Sequence, residues 1–401
     1  MMKTRAHRKK KQKKTIPQVA ILLESSHGVS RGMMRGILDY VRIYGPWALH
    51  MIAGGANDQR MPDLKSWKGN GIIARIPNPA SADDIVQANL PTVLVDPFDR
   101  YLEKNHPLTK CPRVQCNSVA VAGMAAKHLI TQGFTNFAYV GDPNGFNWSR
   151  WREKAFTQRL TENHFSCHIY SRPETDDAAN WSLEIKHMCR WLKKLPKPTA
   201  VFAANDARGR QVLNACLSAG IAVPYEIAVL AVNNDVLICE TSLPPLSSVA
   251  VDMEQAGHKA AEMLDKLMCN EKLDKPHIRY GPEYIVNRAS SQRLQVNDRL
   301  VIEALEFIRI NSGLNIRVID VADHLRVSSR WLEKLFAQHL GRSVIKEIHR
   351  VRSRTIYNLV TRTGMPFAKI AERCGFTSSN HLGVLFRKEF GETMSNARNR
   401  E

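Results

Sequence analysis

Short apolar runs alternate with amphipathic stretches between Gln18 and Asn287, and this alternation restricts the fold more than any other feature of the 401-residue chain. Each run is four to six residues long, which is the length of a buried strand rather than of a helix. Strands that alternate with helices form a doubly wound parallel sheet with helices on both faces. The predicted strands are Val19–Leu23, Leu49–Ala53, Gly71–Ile76, Thr92–Val95, Phe137–Val140, Ala200–Ala204 and Ile227–Val232. The predicted helices include Ser118–Gln132, Trp151–Asn163, Ala207–Ala219 and Asp252–Met268.

Positive charge is concentrated at the two ends of the chain, which carries 57 Lys and Arg against 38 Asp and Glu. Residues 1–15 hold eight basic residues and no acid, and residues 297–401 hold 18 basic and 11 acidic residues. A net charge of +19 indicates a polyanionic partner, of which nucleic acid is the most direct candidate. The tail at residues 1–16 is too polar to fold, so it is either a solvated segment or an auxiliary phosphate-binding arm.

The sequence lacks the signatures of several other protein classes. No window approaches 18 consecutive apolar residues, so no membrane-spanning helix is predicted, and the apolar run at Val19–Leu23 is too short for a secretory signal. The eight cysteines stand singly without a CxxC pair, which favours free thiols in a reducing cytoplasm over a disulfide scaffold or zinc site. The chain has no GxGxxG, Walker A, GxSxG or HExxH motif, so we expect neither an enzyme nor a cofactor or metal site.

Polar residues follow the predicted strands, where doubly wound sheets bind their ligands. They are Glu24-Ser25-Ser26, Asp96, Cys116-Asn117, Asn205-Asp206 and Asn233-Asn234-Asp235. Together with Arg152, Trp148 and Trp151 they offer bidentate polar groups and flat aromatic faces, which can hold a sugar without transforming it. Alternatives remain open for each of them. Asn205 and Asp206 can simply cap the helix that follows, Arg152 can form a salt bridge, and the two tryptophans can be ordinary packing residues.

Several segments in this part of the chain occur in the same order in a known superfamily. They are Ala125–Leu129, Tyr139–Gly141, Arg152–Phe156, Ala204–Arg208, Ala219–Pro224, Val229–Asp235 and Pro244–Val249. They resemble the sugar-binding core of the lactose-repressor and ribose-binding-protein superfamily. The resemblance implies an α/β, two-lobed, periplasmic-binding-protein-like domain at residues 17–286, with the ligand between the lobes. By this resemblance Arg152 clamps sugar hydroxyls, Asn205 contacts them and Asn233 faces the cleft.

The complete set of predicted ligand-binding residues is Ser25, Ser26, Trp151, Arg152, Asn205, Asp206 and Asn233. Two positions depart from the family pattern. The superfamily usually has Asp at the position of Asn233 and commonly Asp at the position of Cys116. Both departures remove negative charge from the cleft, so the sequence leaves the identity of the sugar open.

From Asp298 onward the pattern is helical only, and one unit occurs twice. The first copy begins at Val321-Ala322, with Leu and Phe 10 and 14 residues after the alanine. The second begins at Ile370-Ala371, with Leu and Phe 11 and 15 residues after the alanine, so one inserted residue separates the two copies. A short helix with a small alanine, a tight turn and a longer helix are typical of a helix-turn-helix.

A helix of about 20 residues is predicted between the two copies, at Ser343–Thr361. Its apolar positions are Val344, Ile348, Val351, Ile356 and Leu359, and its outer face carries Lys346, Arg350, Arg352 and Arg354. Such a helix spans roughly 30 Å, which is close to the distance between successive major-groove faces on one side of B-DNA. Two helix-turn-helix units joined in this way resemble the AraC-type DNA-binding domain, an all-α domain that the resemblance places at residues 298–401.

The longer helix of each unit carries the residues that we expect to contact DNA. In the first unit Arg330 and Lys334 can reach guanine, and Glu333 can accept a hydrogen bond from cytosine. In the second, Asn380 can read adenine and Val384 can touch a thymine methyl group. The full predicted set is Ser329, Arg330, Glu333, Lys334, Arg342, Lys346, Ser379, Asn380, His381, Val384, Arg387 and Lys388. Of these, Arg342, Lys346, Arg387 and Lys388 are assigned to phosphates, which give affinity but not sequence preference.

A sugar-binding module ahead of an AraC-type domain resembles the bacterial family of xylose-operon regulators, since lactose-type repressors place their DNA-binding domain first. The resemblance implies a cytoplasmic, sugar-responsive transcription regulator that senses xylose or a related sugar and binds double-stranded promoter DNA. It also implies a homodimer through the middle domain, with residues 287–297 as a linker and RNA polymerase as a further candidate partner. Two alternatives are a regulator that binds DNA without a ligand and a sugar-binding protein that acts through a protein partner.

Overall fold

The structure, a computed structural model, describes residues 16–55, 58, 61–62, 67–76, 78–144, 146–172, 181–292 and 298–399. The basic tail at residues 1–15 and residues 293–297 of the predicted linker therefore lie outside the described residues. The chain divides into two units. The first holds the residues up to Ala215 together with Val229–Ser291, and the second holds Cys216–Ala228 and Gln292–Glu401.

Two six-stranded sheets form the centre of the first unit, with strands numbered in chain order. The first sheet contains β1 (Gln18–Leu22), β2 (Ala48–Met51), β3 (Gly71–Ala74), β4 (Thr92–Val95), β5 (Arg113–Cys116) and β11 (His277–Tyr280). The second contains β6 (Asn136–Val140), β7 (Cys167–Ile169), β8 (Thr199–Ala203), β9 (Ile227–Val232), β10 (Ser247–Val251) and β12 (Pro282–Val286).

The two sheets share one topology. The first runs β11-β5-β4-β3-β1-β2 and the second runs β12-β10-β9-β8-β6-β7. Read from its last-named strand, each sheet begins with five strands in the doubly wound order 2-1-3-4-5, counted by their order along the chain. Parallel pairing, as predicted, joins β1 to β2 and β3, β3 to β4, β4 to β5, β6 to β7 and β8, and β9 to β10, whereas β12 pairs with β10 in antiparallel fashion. In such sheets ligands bind beyond the carboxyl ends of the strands, where the strand order reverses. The two switch points lie beside β1 and β6.

Helices cover the faces of the sheets. They are α1 (Gly28–Tyr44), α2 (Pro79–Ala88), α3 (Ser118–Thr131), α4 (Asn147–Thr161), α5 (Trp181–Lys194), α6 (Asp206–Ala219), α7 (Val236–Thr241) and α8 (Met253–Met268). The helices α1 and α8 pack closely because Gly36 of α1 and Gly257 of α8 each lie against the backbone of the other helix. A Cβ atom on Gly36 would lie 1.8 Å from the Glu254 carbonyl oxygen, and one on Gly257 would lie 1.9 Å from that of Met33.

All seven predicted strands are present, with bounds that differ by at most two residues, but five further strands were not predicted. They are β5, β7, β10, β11 and β12. Half-buried and buried residues alternate in β5, β11 is exposed at His277 and Arg279, and no residue of β7 or β12 is fully buried, so none of these four contains a run of buried apolar residues. The strand β10 is fully buried but begins with Ser247 and Ser248, whose hydroxyls are satisfied by hydrogen bonds to Arg288 and Asp206. Burial of a polar side chain depends on such partners, which periodicity cannot supply.

The described part of the second unit contains α9 (Arg299–Ile310), α10 (Val318–Leu325), α11 (Ser329–Leu340), α12 (Val344–Arg362), α13 (Phe367–Arg373), α14 (Ser379–Phe390) and α15 (Met394–Arg398). Two apolar cores hold them together. One joins α9, α10, α11 and the start of α12 around Phe336, and Tyr225 packs against it. The other joins the end of α12 to α13, α14 and α15 around Phe386. Each core therefore supports one helix-turn-helix pair, α10–α11 or α13–α14.

The internal repeat is visible in the hydrogen bonds of the turns. Val327 donates to the Ala322 carbonyl at 3.0 Å, and Phe376 donates to the Ala371 carbonyl at 2.8 Å. The next capping serine follows Val327 directly at Ser328, but follows Phe376 only after Thr377. Thr377 is therefore the inserted residue that the sequence spacing indicated.

The helix α12 is confirmed within one residue of the predicted range, although one of the four residues assigned to its outer face, Arg352, lies elsewhere. Glu347 is buried and accepts hydrogen bonds from Arg342 at 2.6 Å and from Arg350 at 2.6 Å. Arg352 does not lie on an outer face, because its guanidinium packs 4.2 Å from the centre of the Phe376 ring and donates to the Cys374 carbonyl. It thereby joins α12 to the turn of the second helix-turn-helix.

Candidate ligand cleft and nucleic-acid interface

A cavity of about 200 Å³ lies in the first unit, at the carboxyl ends of the strands of both sheets. It is smaller than the pockets of about 300–1,000 Å³ that hold drug-sized ligands, which favours a small ligand such as a monosaccharide. The lining residues are Ser26, His27, Gly28, Val29, Arg75, Asp96, Cys116, Asp142, Phe146, Trp148, Arg152, Asn205, Asp206, Ala207, Asn233, Asp235, Ile238 and Tyr280. Five of the seven predicted ligand residues are thus brought together: Ser26, Arg152, Asn205, Asp206 and Asn233.

Arg152 is the most deeply placed cation of this cavity, with 4% of its surface exposed. One Nη atom donates to the Ala204 carbonyl at 2.5 Å, and the other lies 3.6 Å from the Cys116 Sγ. Among the described residues, no atom accepts a hydrogen bond from its Nε. A buried N–H group without a partner costs about 1–3 kcal/mol, so a ligand oxygen at this point gains that amount.

The aromatic partner of Arg152 is Trp148 rather than the predicted Trp151. The Arg152 guanidinium lies 5.0 Å from the centre of the Trp148 ring, and the buried Nε1–H of that ring has no acceptor among the described residues. Residues four positions apart lie on one face of a helix, whereas Trp151 is one position from Arg152 and is turned about 100° away. Trp151 is accordingly 38% exposed and does not line the cavity.

Asp206 and Asp235, which follow the strands β8 and β9 of the second sheet, belong to one hydrogen-bond network. Asp206 accepts from the Ser248 hydroxyl at 2.5 Å and from the Asp235 backbone amide at 2.6 Å. Asp235 in turn accepts from the Gly28 amide at 3.1 Å, which links the second sheet to the start of α1. Asn205 accepts from the Arg208 amide at 2.8 Å, so it does cap α6, and it also lines the cavity. Capping and ligand contact are therefore compatible at this position.

The two departures from the superfamily pattern both line the cavity. Burial raises the pKa of the Cys116 thiol, so it is uncharged at neutral pH. The Cys116 amide donates to Asp96 at 2.7 Å, and the Tyr280 hydroxyl donates to the other oxygen of Asp96 at 2.5 Å. Asp96 thus supplies a carboxylate near the position of Cys116. Asn233 has a φ of 106°, a conformation in which Asn is tolerated better than most residues.

Several lining residues were not selected from the sequence, and a second selected residue, besides Trp151, lies outside. Arg75 follows β3 and forms an ion pair with buried Glu24 at 3.5 Å. Tyr280 lies on β11, a strand that the sequence did not predict, so its place in the cavity could not be inferred. Ser25 is not in the lining, because its hydroxyl accepts from the Gly54 amide at 2.8 Å and orders the loop after β1.

The buried carboxyl of Asp206 predicts a pH dependence of stability. Burial raises its pKa from the ordinary 3.8 to about 7. Between these values the folded chain holds a proton that the unfolded chain releases, so the free energy of unfolding falls as pH rises, by up to about 1.4 kcal/mol per pH unit. We expect urea denaturation between pH 5 and pH 7 to show this decrease in the free energy of unfolding. In D206N the contribution of residue 206 to the pH dependence should be absent. Equal slopes in the two proteins would contradict the protonated state.

The recognition helix of the first helix-turn-helix, α11, exposes Arg330, Lys334 and Trp331. Trp331 was not selected from the sequence, yet it is 45% exposed and the Lys334 ammonium lies 5.6 Å from the centre of its ring. The Glu333 carboxylate accepts from the Val344 amide at 3.1 Å, so it holds the start of α12. Ser329, also predicted, is half-buried. An exposed N-terminal half with cations is what a helix needs to enter a major groove.

The recognition helix of the second unit, α14, exposes Asn380, His381 and Val384, and Ser379 is half-buried. Val384 is 70% exposed, which is unusual for an apolar residue and suits contact with a thymine methyl group. Arg387 and Lys388 lie exposed in the last turn of the same helix, and Lys346 lies exposed in the first turn of α12. Arg342 differs from these three, because it is half-buried and paired with Glu347. The predicted DNA contacts of all these residues stay predictions.

Two kinds of site are not found in the described part of the chain. Its His, Cys, Asp and Glu residues form no group of three or more that could hold a metal ion. Nor does any described helix have the length and apolar character required to cross a bilayer.

A two-lobed sugar-binding fold and a pair of helix-turn-helix units in one chain define a sugar-responsive, DNA-binding transcription regulator. Residues 126–291 match the periplasmic binding protein-like domain, and residues 321–400 match a helix-turn-helix domain. Both matches confirm the two-part organisation expected from the sequence.

Comparison with individual proteins narrows the class to one family. The chain is 31% identical over 326 residues to the xylose operon regulatory protein of Haemophilus influenzae, covering 81% of this chain and 83% of that one. It is 27% identical over 379 residues to the xylose operon regulatory protein of Escherichia coli K12, covering 94% and 95%. The solved structure of a xylose-binding transcription activator superposes with a TM-score of 0.82 at 26% identity, covering 95% and 97%. The chain belongs to the xylose operon regulatory protein family.

Proposed function

We propose that this regulator binds xylose or a closely related pentose in the cleft, and that the bound sugar changes how the chain engages promoter DNA. The observation that carries the proposal is the set of unpartnered donors around a cavity of monosaccharide size. Among the described residues, the buried Nε atoms of Arg75 and Arg152 and the Nε1 atom of Trp148 have no acceptor, and all three side chains line the cavity. Sugar hydroxyls can accept from all three, while Asp96 and Asp142 can accept from the hydroxyls in return.

The proposal is tested by isothermal titration of the full chain with pentoses, hexoses and the corresponding sugar acids. A ligand that binds only the folded state also stabilises it by about 2.7 kcal/mol at a hundredfold excess over Kd, so thermal unfolding gives a second readout. We expect selective binding of a pentose, with xylose the first candidate because of the family. Absence of binding to any sugar would instead support a regulator that binds DNA without a ligand.

We further propose that the DNA-bound form is a homodimer through the first unit, in the cytoplasm, where promoter DNA is found. The first unit exposes Ile43 and Tyr44 at the end of α1 and Met51 on the edge strand β2, with 66%, 62% and 41% of their surfaces accessible. Ile43 and Tyr44 are consecutive in the chain, and large apolar side chains exposed together on a soluble domain are typical of a protein interface. Light scattering with and without the sugar measures the oligomeric state, and I43E/Y44E is expected to give monomers.

Recognition of DNA is proposed to divide between base contacts and phosphate contacts. Replacing Arg330 by alanine is expected to remove the base preference at one base pair of the DNA site, and replacing Asn380 is expected to do so at another. Each change should lower the discrimination against the wrong base by about 1–3 kcal/mol. The exposed Lys388 is the matched control: K388Q is expected to weaken binding to all sequences alike and to reduce the salt slope by about one unit. Selection from a randomised DNA library gives the base preference. An unchanged preference in both alanine variants would contradict the assignment.

RNA polymerase is the proposed protein partner of the promoter-bound regulator. The support is a related structure described as a transcription activator, since an activator must raise the activity of polymerase at its promoter. Transcription with purified polymerase, with and without sugar, measures both the direction and the size of the effect. Repression in that assay would reject the polymerase contact.

A further inference from the structure

The groove on one face of β5 and β11 is chemically unlike the rest of the first unit. It has a volume of about 520 Å³ and is lined by Arg113, Gln115, Lys275, His277, Ile278 and Arg279. Four of these six residues are basic or can become so. Asp274, the acid nearest to them in sequence, is not among the lining residues.

The strand register explains why these side chains converge. Residue His277 pairs with Arg113, and Arg279 pairs with Gln115, in a parallel ladder. Paired residues of neighbouring strands, and residues two apart on one strand, point to the same face of a sheet. Arg113, Gln115, His277 and Arg279 therefore share one face, and their neighbours Val114, Cys116 and Tyr280 are buried on the other.

This face is uncovered at β5 and β11. Leu94 of β4, which pairs with Arg113, lies in an apolar core under α2 with Tyr101 and Leu108. This apolar core does not extend over β5 and β11, since His277 and Arg279 are exposed while Arg113 and Gln115 are half-buried. A parallel sheet normally has both faces covered by apolar contacts, so an uncovered face that carries cations needs another explanation.

The cations on this face lack a protein counter-charge. Among the described residues, no carboxylate forms an ion pair with Arg113, Lys275 or Arg279. Burial and then the charge of Arg279 lower the pKa of the Arg113 guanidinium, and burial and then Arg113 lower the pKa of His277. The positive charges of Arg113 and Arg279 therefore repel each other without a neutralising carboxylate. A bound anion would remove this repulsion.

We propose that the groove of β5 and β11 binds a small molecule that carries a phosphate group, with Arg113 and Arg279 as its main ligands. Planar guanidinium groups match phosphate oxygens in a bidentate manner, and a phosphate monoester carries about −1.5 to −2 charges near neutral pH. The volume suits a metabolite rather than a polymer, since proteins that bind duplex DNA neutralise roughly 6–10 phosphates over an extended surface. This inference does not depend on which sugar binds in the cleft.

The test is isothermal titration of the full chain at fixed ionic strength with inorganic phosphate, glucose 6-phosphate, glucose and a phosphoserine peptide. We expect inorganic phosphate and glucose 6-phosphate to bind and glucose not to bind. The R113Q/R279Q variant should weaken binding of glucose 6-phosphate at least tenfold. The matched control K127Q/K154Q removes two exposed, unpaired charges from α3 and α4 and should leave that affinity unchanged.

Three results would overturn the proposal. These are no binding of either phosphate probe, equal weakening in the control variant, and binding of the phosphoserine peptide alone, which would make the groove a docking site for a protein. Because Arg113 is half-buried, K275Q/R279Q serves as a second variant in which both replaced side chains are exposed. It should also weaken binding of glucose 6-phosphate, with an unchanged thermal midpoint. Titration of each variant with xylose reports separately on the cleft.

Discussion

Replacing Arg152 by alanine is expected to lower the affinity for the sugar at least about 100-fold, or roughly 3 kcal/mol. Arg152 is buried beside the cavity, and its Nε is a charged donor without a partner among the described residues. Hydrogen bonds to charged groups contribute about 1.5–3 kcal/mol each, and the ring of Trp148 positions the guanidinium that makes them. Isothermal titration with the sugar identified for the wild type gives the change directly.

The control for the R152A prediction is W151A, a substitution at the adjacent residue. Trp151 is on the same helix but is exposed outside the cavity, so W151A is expected to bind the sugar like the wild type. R152K keeps the charge but loses the planar fork, and should fall between the wild type and R152A. Because Arg152 also donates to the Ala204 carbonyl, the thermal midpoint of each variant without sugar must be measured. Wild-type affinity in R152A would remove Arg152 from the site.

Replacing Phe386 by alanine is expected to lower the stability of the second helix-turn-helix by about 3–5 kcal/mol and to abolish the DNA contacts of that unit. Phe386 is fully buried, in a core that joins the end of α12 to α13, α14 and α15. Its ring stacks against Tyr357 at 6.0 Å between centres and lies 4.7 Å from Phe390. Removing a buried Phe loses the burial of the ring and leaves a cavity.

Val384, two residues away on the same helix, is the matched control. It is 70% exposed, so V384A should leave the free energy of unfolding in urea within about 0.5 kcal/mol of the wild type. It should reduce DNA affinity only at sites that have thymine at the contacted position. Footprinting should show F386A protecting only the half of each site that the first unit contacts. A full-length footprint with F386A would contradict an independent role of the second unit.

Local periodicity predicted the doubly wound sheet, whereas the two lobes and most of the cleft residues were predicted from the polar residues after the strands together with the family resemblance. Seven strands were found from their apolar runs, and polar residues at the ends of β1, β8 and β9 were correctly expected to come together. Arg75 and Tyr280 were missed for different reasons. Arg75 was placed inside the predicted strand Gly71–Ile76, whereas β3 ends at Ala74, and Tyr280 lies on an edge strand with mixed composition that has no local signature.

The C-terminal unit shows the same division. The repeat spacing located both helix-turn-helix pairs, and it required one inserted residue, which the hydrogen bonds identify as Thr377. The pattern placed Arg352 on an outer face, whereas its side chain packs on Phe376. Helical periodicity specifies which direction a residue points, but not what a distant part of the chain places there.

By itself, the sequence determined the strands that have a continuous apolar run, the unit that occurs twice and the polar residues that follow those strands, since these are properties of the order of residues along the chain. Only the tertiary structure decided which tryptophan faces the cleft, that Asp96 stands beside Cys116, and that Arg113 and Arg279 share an open face. Asp96 and Cys116 are 20 positions apart and Arg113 and Arg279 are 166 positions apart, and the energy of these two relations arises from burial and unpaired charge, which exist only once the sheets have formed.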